Sequence, residues 1–110
     1  MDKYYKIPSH KIKQLIKSTI GCIASDKITV DGEKVRYMYR EEPDNIYDSG
    51  WRFFSGKEDQ EYTDNSENFS FYKINTIANY DSSIIPYINM EIGSVLEKDL
   101  DTDTFVLVNN

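Results

Sequence analysis

The sequence predicts an α+β fold: a single domain built mainly on an antiparallel sheet, with an N-terminal helix and one or two further short helices. Three observations lead there. A chain of 110 residues is one domain by length. Short β-capable runs follow one another with turn residues between them, and few stretches are long enough for crossover helices. Nine Tyr, five Phe and one Trp supply bulk that the 39% hydrophobic content understates, enough for one core at this size.

In chain order, Ser9 follows Pro8 as a suitable helix cap. Ile12, Leu15 and Ile16 then recur at i, i+3, i+4, with Lys11, Lys13 and Lys17 on the other faces. This pattern predicts a short basic amphipathic helix within residues 1–20, packed on a domain spanning 21–110. Ile20 to Ser25 is short and β-branched and reads as a buried strand holding Cys22. Asp31-Gly32 is a hairpin signal between two β-capable runs. Beyond it, Val35, Tyr37 and Tyr39 alternate with Arg36, Met38 and Arg40, the pattern of a strand with one face toward solvent. Glu41-Glu42-Pro43-Asp44-Asn45 makes a polar loop.

Trp51 to Phe54 is the next strand, with Trp51 and Phe53 on one face and Arg52 and Phe54 on the other. Phe54 beside a charged neighbour implies that both faces are partly covered. The acidic segment Lys57–Asn68 admits a short helix around Glu58–Tyr62 or a loop, and its pattern decides neither. Phe69 to Ile74 alternates as a strand, and Ile77 and Tyr80 suit a helical turn after Asn75 or Thr76. Asp81 is a cap for a short helix carrying Ile84, Ile85 and Ile88, which Pro86 shortens or distorts. Strands around Ser94–Glu97 and Phe105–Val108 follow, with the polar run Lys98–Thr104 between them.

The net charge of −6 is unevenly spread. Residues 1–20 carry five Lys against one Asp, whereas residues 41–70 carry nine acids against Arg52 and Lys57. The acidic side repels nucleic acid and anionic membranes and steers basic partners toward itself. It equally suits a solvated face. Cys22 is the only cysteine, so the chain has no internal disulfide and a reducing compartment is indicated. No apolar run approaches the ~18 residues of a membrane span, and MDKYYKIPSHK has no signal-peptide pattern. The expected location is the cytoplasm.

Motifs that carry chemistry are few. His10 is the only histidine, and nothing near Cys22 in sequence would favour its thiolate. Asp99, Asp101 and Asp103 alternate as in a calcium loop. The sixth and twelfth positions of that count hold Thr104 and Asn110 where Gly and Glu are needed, so a solvated hairpin turn is the better reading. Glu58, Asp59, Glu61 and Asp64 form a solvated face, a protein-contact surface, or a cation or acid–base site. Trp51 with Tyr37 and Tyr39 makes an aromatic platform without the basic groove that single-stranded nucleic acid requires. No catalytic residue, metal ligand or cofactor motif is assigned. The expected contact set is Tyr39, Glu41, Glu42, Asp44, Asp48, Trp51, Glu58, Asp59, Glu61 and Asp64.

The segments GCIASDKI, VRYMYREEP, DSGWRFFSGKEDQEYTDN, INTIANYD and IGSVLEKD together resemble the immunity protein 33 family, from roughly Gly21 to Asp99. The sharpest part is Tyr39-Arg40-Glu41, then Asp48-Ser49-Gly50-Trp51-Arg52-Phe53-Phe54-Ser55-Gly56 and the acidic Glu58-Asp59. The lysine-rich stretch before Gly21 lies outside the matched core. Asn65-Ser66 and Asp81-Ser82 stand where Asn-Pro and Asp-Pro are expected in relatives, a change of turn stiffness more than of chemistry.

What the resemblance implies is a cytoplasmic antidote that binds and blocks a cognate toxin of a bacterial polymorphic toxin system, with no catalytic residue carried over. An acidic inhibitor suits a basic toxin such as a nuclease, its carboxylates taking the place of phosphates and speeding association. The rival reading is a small metal-dependent hydrolase or small-ligand-binding module using the same carboxylates.

Overall fold

The computed structural model describes residues 3–108. Met1 and Asp2, at the start of the expected helical region, and Asn109 and Asn110, where the calcium-loop count ends, lie outside the described residues. The strands are β1 (Gly21–Ser25), β2 (Tyr37–Arg40), β3 (Asp48–Phe54), β4 (Phe69–Lys73), β5 (Val95–Asp99) and β6 (Thr104–Leu107). They form one sheet in the order β4-β1-β3-β2-β5-β6. β1 and β3 run parallel; the other four neighbouring pairs are antiparallel. The fold is α+β on a mainly antiparallel sheet, as expected.

Period-two alternation sorts the strands' residues onto two faces. Cys22, Ala24, Met38, Phe53, Leu96 and Phe105 point to one side with Trp51. There they meet Ile28 of α1 (Asp26–Thr29), Ile74 and Ile77 of α3 (Ile74–Tyr80), and Ile84 of the 3-10 turn Ser82–Tyr87. That layer is the core. On the opposite side, α2 (Gln60–Asp64) reaches the sheet through Tyr62, whose ring meets Phe69 edge-on.

The acidic segment therefore does hold a short helix, starting later than the Glu58–Tyr62 option, because Asp59 accepts the Tyr62 N–H at 2.8 Å and caps it. Asp81 likewise caps the Ser82–Tyr87 turn by accepting the Ser83 N–H, and Pro86 sits inside that 3-10 stretch. Its carboxylate also meets Lys98 Nζ at 2.7 Å and accepts the Val35 N–H, so one buried acid ties three segments together.

Two expected elements differ. Among the described residues the N-terminal helix is absent: only a 3-10 turn, Ser9–Lys11, forms, and the chain then runs without regular structure to Gly21. Two side chains on α3 take the backbone partners that a helix would have used. Asn75 Oδ1 accepts the Leu15 and Ile16 N–H groups, Asn79 Oδ1 accepts that of Lys13, and both Asn amides donate to the Lys13 carbonyl. A two-turn helix is marginal in water, so this external clasp decides the conformation. The second difference is at Asp31-Gly32, which ends a helix and turns no hairpin. Ser25 caps α1 by accepting the Lys27 N–H, and Gly32, at φ 82°, donates to the Ile28 carbonyl as a helix-terminating glycine.

Candidate partner-binding surface

The site is shaped by a bulge. Gly21 of β1 opposes Asp48 of β3, but Ile23 opposes Arg52, so two steps on one strand match four on the other. In a regular strand, residues four apart are separated by about 13 Å. Here the strand kinks through Gly50, at φ 91°, and Asp48 and Arg52 touch. A Cβ on Gly50 would lie 2.0 Å from the Glu41 carbonyl oxygen, so the kink and the approach of the neighbouring chain both need glycine.

Arg52 then becomes the hub of the loop between β2 and β3. Its Nη1 and Nη2 donate to the two Asp48 carboxylate oxygens at 2.9 and 2.8 Å, and its Nε donates to Glu41 at 2.6 Å. Asp44 lies 3.7 Å from Nη2. Asp48 also accepts the Asp44 and Gly50 N–H groups. The Arg52 hydrogen bond, with those backbone donors, holds Asp48 well below the usual carboxylate range, at about 2. Burial opposes the Arg52 charge, but its bonds to Asp48 and Glu41 outweigh it and stabilise the guanidinium.

The loop is further pinned. Asn45 accepts the Tyr47 N–H through its side chain, and the Tyr47 carbonyl accepts the Gly21 N–H at 2.7 Å. What this frame presents to solvent is Ile46, 86% exposed, and Tyr47, 70% exposed, next to the exposed Glu42 and Asp44.

The strand pairing places Tyr37, Tyr39, Phe54, Ile23, Phe71 and Glu97 on the side of the sheet opposite the core. Tyr39 stacks on Phe54 with centroids 5.8 Å apart and planes 15° apart. The row continues from Phe54 to Phe69 at 5.7 Å and from Phe69 to Tyr62 at 5.9 Å. Burial and the Glu41 charge push the Tyr39 hydroxyl pKa up. Tyr37, Tyr39 and Phe54 are half-buried, an aromatic floor bordered by α2 through Tyr62 and Thr63.

The expected contact residues divide in two. Tyr39, Glu41, Glu42, Asp44, Asp59, Glu61 and Asp64 keep exposed or half-exposed side chains, and Glu58 is half-buried. Burial by itself would raise the Glu58 pKa, but hydrogen bonds from the Ser55 N–H and hydroxyl hold it below its usual value, so it braces the turn after β3. Trp51 and Asp48 are not on the surface. Trp51 lies in the core with Phe53, its indole N–H donating to the Ile88 carbonyl at 2.8 Å, and Asp48 is consumed by Arg52. The segment around Trp51 is an anchor; the residues on either side of it carry the surface. The exposed Ile46 and Tyr47 and the half-buried Phe54, outside the expected set, lie beside these residues. The available signal for Ile46 and Tyr47 was two bulky apolar residues inside an otherwise polar loop.

Among the described residues, no group of three or more His, Cys, Asp or Glu is placed to hold a metal ion, and no helix is long and apolar enough to cross a membrane. A family model for the immunity protein Imm33 domain matches residues 22–109. The chain belongs to this family. No curated protein and no solved structure matches it. The Imm33 domain takes in all six strands except Gly21 at the start of β1, together with the Arg52-centred loop. The clasped segment before β1 lies outside the match. Membership in a family of immunity proteins points to a toxin-immunity role and to a toxin as the kind of partner.

Proposed function

We propose that this Imm33 protein works in the bacterial cytoplasm, binding and neutralising a basic cognate toxin without catalysis of its own. The contact surface is the aromatic face of the sheet opposite the core, beside α2, together with the acidic loop before β3. The observation that carries this reading is the rigid presentation of Ile46 and Tyr47 beside Glu42 and Asp44, braced from beneath by the buried Arg52–Asp48 pair. A preorganised apolar tip loses little freedom on binding, and its acidic rim speeds encounter with a basic partner.

The carboxylates split between bracing and display. Asp48, Glu58 and Asp59 hold backbone groups in place, while Glu42, Glu61 and Asp64 extend into solvent. That division favours a binding surface over a convergent acid–base site.

The test begins with capture of the tagged protein's partner from its native host and identification of any basic protein bound at stoichiometric level. Purified toxin is then titrated against the wild type and a variant with Glu42, Asp44, Glu61 and Asp64 changed to Gln or Asn. The variant is expected to associate about tenfold or more slowly at low salt, with a flattened salt dependence. Equal association rates would remove the acids from the interface. A stoichiometric thermal shift on adding a divalent cation, with no toxin bound, would favour the hydrolase reading instead.

A further inference from the structure

The face of the sheet opposite the core contains a cleft of about 550 Å³ lined by Tyr37, Tyr39, Phe54, Glu58, Thr63 and Glu97. We propose that this cleft receives an arginine side chain of the bound protein partner. The inference rests on the immunity reading for the identity of the partner, but the chemistry of the cleft stands on its own residues.

The floor is aromatic and already ordered. Tyr39 and Phe54 stack at 15°, and the Tyr37 ring is tilted against both at 5.8 and 6.0 Å, so the rings form one continuous half-exposed surface. The walls are acidic. Glu97 projects from β5 into solvent and makes no ion pair among the described residues. Glu58 enters from the opposite side, fixed by Ser55 and Gly56, with Oε1 engaged by a single N–H. An anion is repelled by such walls, and an uncharged ring would leave Glu97 without a counter-charge in a partly desolvated site.

A cation satisfies both features. The guanidinium group fits better than an ammonium because it is planar, stacks on aromatic faces, gives up hydration more readily and carries several donors for two carboxylates. Side chains of this type, seated on aromatic surfaces, are frequent anchors of protein interfaces. The cleft also lies on the sheet side opposite the core, bordered by α2, whose Thr63 forms part of its lining.

The experiment uses the whole protein and a blocked Gly-Arg-Gly peptide, followed through the ring-proton signals of Tyr37, Tyr39 and Phe54 at low salt. Saturable shifts confined to these rings are expected, with affinity lowered about tenfold or more when citrulline replaces arginine and the charge is lost. Glu97→Gln, at an exposed position that leaves the fold intact, should weaken the arginine peptide about threefold, and Tyr39→Leu should do so by a similar factor.

Unmoved ring signals, or equal binding of the citrulline peptide, would overturn the proposal. So would a toxin that binds the doubly changed Tyr39→Leu/Glu97→Gln protein as tightly as the wild type, an outcome that leaves the immunity reading standing. Specific arginine binding in a protein that recovers no toxin would support the cleft and count against the immunity reading.

Discussion

Replacing Arg52 by Met tests the frame beneath the proposed contact loop. The substitution keeps much of the side-chain stem but removes the guanidinium that Asp48, Glu41 and Asp44 share. Asp48, whose side chain is 1% exposed, is then a buried carboxylate with two backbone donors and no counter-charge. Breaking a buried pair from one side costs about 3–5 kcal/mol. The fall of the Asp48 pKa from 3.8 to about 2 gives a second route to the magnitude, roughly 2.5 kcal/mol at neutral pH.

The two routes also predict a pH dependence. In the wild type the folded pKa is depressed, so this stability is fully present above about pH 4 and is lost as pH falls through about 2. In Arg52→Met the buried, unpaired carboxyl has a raised pKa, and acid relieves its cost. The stability gap is therefore largest near pH 7 and narrows on acidification. Urea unfolding at pH 7 and pH 3, read by fluorescence of the single buried Trp51, measures it. A gap below about 1 kcal/mol at pH 7, or one of equal size at pH 3, would refute the account of Arg52 as the hub.

Four further outcomes are expected. Gly50→Ala should cost more than about 2 kcal/mol, since both the positive φ and the Glu41 carbonyl forbid a Cβ. Gly21→Ala meets only the half-exposed Phe71 ring, which can swing outward, so its midpoint in urea should fall by far less. Cys22 is fully buried, and burial pushes its thiol pKa up, so a disulfide reagent such as DTNB should label it only at the rate of unfolding; rapid labelling of the native protein would contradict its placement. Asn75→Ala with Asn79→Ala should release the segment around Lys11, Lys13 and Lys17, and limited trypsin digestion should then cut there well before the sheet is touched.

What could be read from the chain was whatever local pattern decides. The alternation through Trp51–Phe54 put Trp51 and Phe53 on one face and Arg52 and Phe54 on the other, and the structure agrees, but the pattern did not keep Trp51 out of the expected contact set. Asp81 was legible as a cap because the capping bond closes within two residues. The N-terminal helix misled because the apolar spacing of Ile12, Leu15 and Ile16 was outweighed by Asn75 and Asn79, some sixty residues away. Asp48 misled for a related reason. Four residues from Arg52 on a regular strand it would sit far from the guanidinium, and only the bulge against β1 brings them together. The acidic loop was visible as composition, whereas its division into bracing and displayed carboxylates required the fold.

The position of β1 has a consequence for the timing of folding. It lies between β3 and β4, so one of its edges stays open until β3 has been made and the other until β4, which ends at Lys73. The pairs β2–β3 and β5–β6 close short loops and can zip within about 1–10 μs of being made. β1 leaves the ribosome ahead of the other strands of this sheet, yet its β4 edge waits while the chain grows from Ser25 to Lys73, roughly 2–10 s at ordinary synthesis rates. Throughout that interval Cys22, Ile23 and Ala24 keep at least one open edge, and the distant pairings β1–β4 and β2–β5 are the non-local steps expected to set the folding rate. A newly made molecule can thus acquire its Gly21-to-Tyr47 tether, and with it a fixed loop, once β3 is made, before the far edge of β1 is covered.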